Sequence, residues 1–133
     1  MNGLSNKANQ MRHAKKSFYQ GFYCAVSGIV NSVKSEANMK FHLLAATLAI
    51  ALGVLLQISS SEWLWIFLAI FLVMAAETMN TAIESLSDLV SPEYHPLIKS
   101  TKDAAAGAVL LIALFSVVCG LFIFLPKIIA TFN

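Results

Sequence analysis

Hydrophobic and polar positions divide this 133-residue chain into one amphipathic stretch and three long apolar runs. From Lys15 to Val33, the residues Phe18, Phe22, Val26, Ile29, Val30 and Val33 recur by threes and fours. Lys16, Gln20, Ser27 and Lys34 fall on the other face. That period predicts an amphipathic helix lying in a headgroup layer, within a polar N-terminal region of residues 1–34. Residues 1–11 are polar and predict a frayed start. Phe41 to Ile58 is the first apolar run, interrupted only by His42, Thr47 and Gln57. "SSSE" at 59–62 reads as a turn. Trp63 to Leu86 reads as a helix whose first fourteen residues are all apolar and whose last turns are acidic. Residues 87–103 read as a polar connection containing Pro92 and Pro96. Ala104 to Leu125 is a run of 22 residues without a charge.

Each run is long enough to cross about 30 Å of hydrocarbon, the second when its polar end reaches the interface. The expected fold is therefore an all-α integral membrane protein of one domain. An interfacial N-terminal helix precedes three transmembrane helices over 41–58, 63–86 and 104–125.

Composition agrees, with 58% hydrophobic and 12% charged residues, where a soluble domain carries about 25% charged. A net charge of +2 and the lack of a basic stripe with interleaved aromatics exclude nucleic acid as a partner. The first forty residues have no apolar core of the kind a cleavable signal peptide needs. Cys24 and Cys119 are too few for a disulfide framework. The basic residues set an orientation: Lys7, Arg12, Lys15, Lys16, Lys34, Lys40, Lys99 and Lys102 share one side, and Lys127 alone holds the other. By the positive-inside rule the N-terminus and the 87–103 segment are cytoplasmic, and the C-terminus is outside.

The second run ends in "ETMNTAIESLSDL", residues 77–89. At 100° per residue, Glu77, Asn80, Glu84 and Asp88 fall within roughly 80° of one another. An ionisable group in a spanning helix costs about 2.5–3.5 kcal/mol at mid-membrane. A lone acid beside Lys40 would be a structural ion pair. Three acids, Glu36, Glu77 and Glu84, on converging helices point instead to a divalent cation, since Mg²⁺ takes one or two carboxylates together with phosphate oxygens. The six glycines are scattered and form no phosphate-binding loop. Metal, side chains and interfacial cations would have to hold any nucleotide, with Lys102 and Asp103 as candidates. Asp103, directly before "AAAGA", is equally suited to cap a helix.

With its E-x-x-N-[ST]-A-I-E-x-x-x-D spacing, "ETMNTAIESLSDL" closely resembles the signature of the prokaryotic diacylglycerol kinase family. "PEYHPLIKSTKDAAAGAVLL" continues the match, and "SGIVNSVKSEANMKFH" resembles the segment with that family's first metal-binding acid. The resemblance implies a homotrimeric three-span membrane kinase that phosphorylates a lipid hydroxyl from MgATP. It makes Glu77 the general base and gives Mg²⁺ to Glu36 and Glu84. Asn80 would orient the base or the substrate, and Asp88 would support the site. Those two metal-binding acids, with Glu93, Tyr94, His95, Lys102 and Asp103, would contact ATP. "EANMKFH" and "GLFIFLPK" resemble the Gram-positive branch, whose members phosphorylate undecaprenol; Asn38 and His42 then stand beside the lipid. A carboxylate partly withdrawn from water is suited to taking a hydroxyl proton, and phosphoryl transfer needs mainly positioning and charge neutralisation. Diacylglycerol is the alternative acceptor. A small ion-coupled transporter and a non-catalytic scaffold are the readings from other classes, although no acid lies in the outer half of any span to complete a relay.

Overall fold

The computed structural model describes residues 2–132, with side chains from 17 to 131. Its four helices are α1 (Asn2–Ser35), α2 (Ala37–Leu55), α3 (Ser60–Val90) and α4 (Pro96–Phe132). The last three are long and apolar enough to cross a membrane. α1 begins well before the start expected near Lys15, because nothing after Asn2 breaks a helix as a proline would.

Each connection has a local cause. Between α1 and α2 the backbone is extended at Glu36 alone, with φ −97° and ψ 127°. Between α2 and α3, Gln57 takes a positive φ of 49° and reverses the chain. Ser59 then caps α3 in a reciprocal box: its hydroxyl accepts from the Glu62 amide at 3.4 Å, and Glu62 accepts from the Ser59 amide at 2.6 Å. Lys127 of α4 adds an ion pair to Glu62 at 3.2 Å. Between α3 and α4, the Ser91 hydroxyl donates to the Glu93 carbonyl at 3.0 Å. Pro96 opens α4, where a missing amide hydrogen is harmless.

The polar connection expected over 87–103 is confined to 91–95. At 1.5 Å per residue, the 31 residues of α3 and the 37 of α4 run about 47 and 56 Å, well beyond the hydrocarbon thickness. Polarity marks where a helix leaves the lipid, and its backbone bonds carry it onward. Asp103 accordingly lies in the second turn of α4 and does not cap it. His95 takes that place, its Nδ1 accepting from the Leu97 amide at 3.2 Å.

α3 and α4 make the most extensive pairing, α2 lies against α3, and α1 reaches α2 and α3. Lipid gives no hydrophobic drive to helix association, so small residues and close fit must supply it. At the turn end, Ile58, Ile66, Ile123 and Phe124 form the core, with Trp63 and Leu52 against them. Trp63 lies over Gly53, where a Cβ would meet Trp63 Cη2 at 2.8 Å. Outward-facing Leu48, Phe71 and Phe122 are exposed, as a lipid-facing surface requires. Gly53→Ala is therefore expected to destabilise the detergent-solubilised protein by about 1–3 kcal/mol relative to Gly107→Ala, whose Cβ meets nothing within 4 Å. Unfolding monitored by circular dichroism checks this, and equal stability of the two variants would show that Trp63 is not seated on Gly53.

Candidate active site

The buried positions of α3 are Ile66, Ala69, Val73, Glu77, Asn80 and Ser87, spaced by threes, fours and one seven. They form a single seam, which begins as apolar core and continues into polar side chains. The acidic stripe thus faces the protein interior for most of its length. Glu77 is 1% exposed and Asn80 6%. One carboxylate oxygen of Glu77 (Oε1) and the Asn80 Oδ1 are buried without a hydrogen-bond partner. Such atoms cost about 1–3 kcal/mol each when left unpaired.

Around this pair the structure gathers both ends of the expected site. Asn38, in the first turn of α2, lies near the Glu77 carboxylate, as do His42, Glu36 and Glu84. The Asn80 Nδ2 donates to Glu84 Oε1 at 3.0 Å, which turns the amide oxygen of Asn80 away from Glu84. Thr81 spends its hydroxyl on the Glu77 carbonyl at 3.0 Å and takes no part. Glu36 occupies the N-cap position of α2 but makes no capping bond. Its carboxylate is left available at a point where most acids would be consumed by the helix.

Among the described residues no three His, Cys, Asp or Glu side chains form a ready cage for a metal. The available donors are Glu36, with no capping duty, and Glu84, engaged through one oxygen. Two carboxylates with open positions suit Mg²⁺, which dehydrates reluctantly and is usually completed by phosphate oxygens. They fit a zinc-type site poorly, since that demands a closed set of nitrogen and sulfur ligands.

The remaining expected residues sort into two groups. Asp88 is joined to the site's far side: it accepts a hydrogen bond from Lys102, an ion pair that ties the end of α3 to α4. Asp103 instead pairs with Lys99 on its own helix at 2.6 Å, exposed to solvent. Glu93, Tyr94 and His95 lie exposed in the 91–95 loop. His95 has its Nδ1 engaged in capping, which leaves Nε2 as the nitrogen that could meet a ligand. Lys40, the possible ion-pair partner of Glu77, is exposed and forms no ion pair among the described residues.

Sequence reasoning missed Ser87 and Met39, both buried beside this region at 5% and 0% exposure. Ser87 was legible, since it lies seven residues after Asn80 on the same seam. Met39 carries no polar signal that would have marked it. A groove between α2, α3 and α4 was also missed, because its apolar lining is spread over three separate helices.

A sequence profile of prokaryotic diacylglycerol kinase matches residues 23–124. The chain is 43% identical over 117 residues to the undecaprenol kinase of Bacillus subtilis, covering 88% of this chain and 95% of that protein. It is 36% identical over 110 residues to the diacylglycerol kinase of Synechocystis, covering 82% of this chain and 63% of that one. With the diacylglycerol kinase of Escherichia coli K12 it shares 30% identity over 84 residues, 63% of this chain and 69% of that one. The matched span includes the α1–α2 junction, all of α3 and most of α4.

A carboxylate buried without a full set of partners weakens the fold that holds it. Glu77→Met is thus expected to raise the stability of the solubilised protein by about 1–3 kcal/mol, measured by unfolding in detergent. A loss of stability would mean that Glu77 anchors the helices.

Proposed function

Because the chain belongs to the prokaryotic diacylglycerol kinase family, we propose that it is an ATP-dependent undecaprenol kinase. The hydroxyl oxygen of the lipid attacks the γ-phosphorus of ATP, the bond to the β-phosphate oxygen breaks, and ADP leaves. The products are undecaprenyl phosphate and ADP, and the hydroxyl proton passes to Glu77. The observation that carries this reading is the buried Glu77 carboxylate, unpartnered through one oxygen and beside Asn80 and Glu84 at the polar end of a spanning helix. A soluble substrate would have to enter the membrane to reach it, whereas a lipid hydroxyl is already there.

Each surrounding residue has a task in this scheme. Asn38 steadies Glu77, and Asn80 offers its free carbonyl oxygen to the hydroxyl or to a bound water. Glu36 and Glu84 would hold Mg²⁺, which supplies charge neutralisation to the phosphates when bound. Lys102, held by Asp88, brings a cation towards the nucleotide. Glu93, Tyr94 and His95 lie on the loop an ATP would approach from water, and Asp103, exposed beside Lys99 about two turns into α4, would meet it from the solvent side. Asn38 and His42 would border the lipid headgroup.

Undecaprenol is preferred to diacylglycerol because the relative named undecaprenol kinase is matched over 95% of its length. Diacylglycerol is the second acceptor, supported by the names of the Synechocystis and Escherichia coli relatives. The same reading places the N-terminus and the 91–95 loop in the cytoplasm, where ATP is, and the C-terminus outside; the lysine distribution supports it. It also includes a homotrimer with shared sites, supported by the thinness of a three-span protomer that must serve two substrates.

Phosphate transfer from γ-labelled MgATP, by purified protein in mixed micelles with undecaprenol or diacylglycerol at matched surface fraction, tests the proposal. Label is expected on undecaprenol and absent with Glu77→Gln. Label on neither lipid, with the helices intact, would overturn the kinase reading. Glu84→Gln is expected to raise the Mg²⁺ concentration needed for half-maximal rate. Glu77→Gln is expected to abolish turnover with little change in MgATP binding, and unaltered turnover in both variants would remove their assigned roles.

A further inference from the structure

A groove of about 260 Å³ opens between α2, α3 and α4 on the hydrocarbon side of the site. Val73, one helical turn before Glu77 on the buried seam, lines it together with Phe41 and His42 of α2. From Val73 to Ile66 it follows α3 for about 10 Å. Its walls are apolar and mixed in size: Ala46 and Ala49 on α2 and Ala113 and Gly120 on α4 stand among larger side chains such as Ile70 and Phe124. Ser116 also lines it, but its hydroxyl is spent on the Ile112 carbonyl at 2.9 Å. The groove therefore presents almost no hydrogen-bonding group below the His42 level, and its head, at Val73 and His42, ends one helical turn short of Glu77, whose Oε1 is buried without a partner.

That juxtaposition has a chemical consequence. An acceptor whose hydroxyl meets Glu77 and whose tail enters this groove places its next atoms beside Val73 and Phe41. A polyprenol meets that demand, because its hydrocarbon begins at the carbon bearing the hydroxyl and continues as one chain. A diacylglycerol carries two ester carbonyls close to its hydroxyl, and a carbonyl moved into apolar surroundings without a donor is penalised. It also has two chains for one groove. We infer that this groove seats the first isoprene units of a single-chain polyprenol and selects against glycerolipid acceptors, with Ala49 and Gly120 as its specificity-determining residues. The inference rests on the lipid-kinase reading and adds to it the physical basis of acceptor choice.

The energetic scale sets what to measure. Lipid tails are as apolar as the groove, so seating a chain there gains only packing contacts. The expected effect is a severalfold change in kcat/KM. A series of prenols with one, two, three and more isoprene units, with diacylglycerol alongside, is offered to the full-length protein in mixed micelles with labelled MgATP. In the wild-type chain, kcat/KM is expected to rise severalfold with the first units and then level off, with diacylglycerol below the plateau.

Ala49→Leu is expected to keep the rate on the shortest prenol and lose the gain on longer ones. Since Ala49 also packs against the core, Gly120→Leu is the second variant; a Cβ there meets only the Phe124 ring, at 3.8 Å. Equal loss on every acceptor in both variants, or retention of the full chain-length gain in both, would overturn the groove while leaving the kinase intact. So would a wild-type rate independent of chain length, the result expected if a helix of a second copy fills the groove. A wild-type preference for diacylglycerol would overturn the selectivity. No label on any alcohol would remove the kinase reading and the groove's role with it.

Discussion

A bilayer interior offers no hydrogen-bond partner to a backbone amide or carbonyl, so a chain crossing it must satisfy every such group internally. For a protein of this length with three apolar runs, that leaves helices, and the remaining features follow from how long the helices are. α3 and α4 run well past the hydrocarbon because nothing stops their backbone bonds at its edge. The excess length lifts Asp88 and Lys102 into the interfacial zone, where an ion pair between two helices is tolerated. A second pair at the opposite end, Lys127 with Glu62, joins the same two helices. Between these charged ends the contacts are close-fitting apolar side chains, among them Ile66, Ile123 and Phe124.

The site stands where that economy is broken. Six positions of α3 form one buried seam, and its first three are apolar. At Glu77 the seam turns acidic without turning outward, so a carboxylate occupies a core position. Nothing in the packing of the helices calls for an acid there, and the missing partners of Glu77 and Asn80 mark it as a place built for something else. Hydrocarbon from below and nucleotide from the aqueous end can meet only at such a boundary. On the proposed reading the interfacial position of the carboxylate would be part of the chemistry, because each substrate would stay in its own phase up to the point of transfer.

Glu36 shows how local structure serves the same end. An acid at a helix N-cap ordinarily hydrogen-bonds the first free amides, yet Glu36, with the extended backbone usual for an N-cap, makes no such bond and its carboxylate is uncommitted. His95 is the reverse case. Its side chain completes the start of α4, and that duty fixes which ring nitrogen remains for a ligand. Asp103, by contrast, is neither a cap nor joined to α3, since α4 starts about two turns before it, at Pro96.

The sequence by itself determined the number of spanning helices, the amphipathic character of α1 and the stripe of Glu77, Asn80, Glu84 and Asp88, because length, periodicity and residue type are local properties. It determined the family as well, since a spacing such as that of residues 77–88 is legible without coordinates. Only the tertiary structure decided which face of the stripe is buried and that Asn38 and His42 adjoin Glu77. It alone paired Lys102 with Asp88 while Asp103 turned to Lys99. The apolar groove was beyond the sequence for the same reason. A small residue carries no sign of what it leaves room for, and the space exists only once three helices have taken their positions around it.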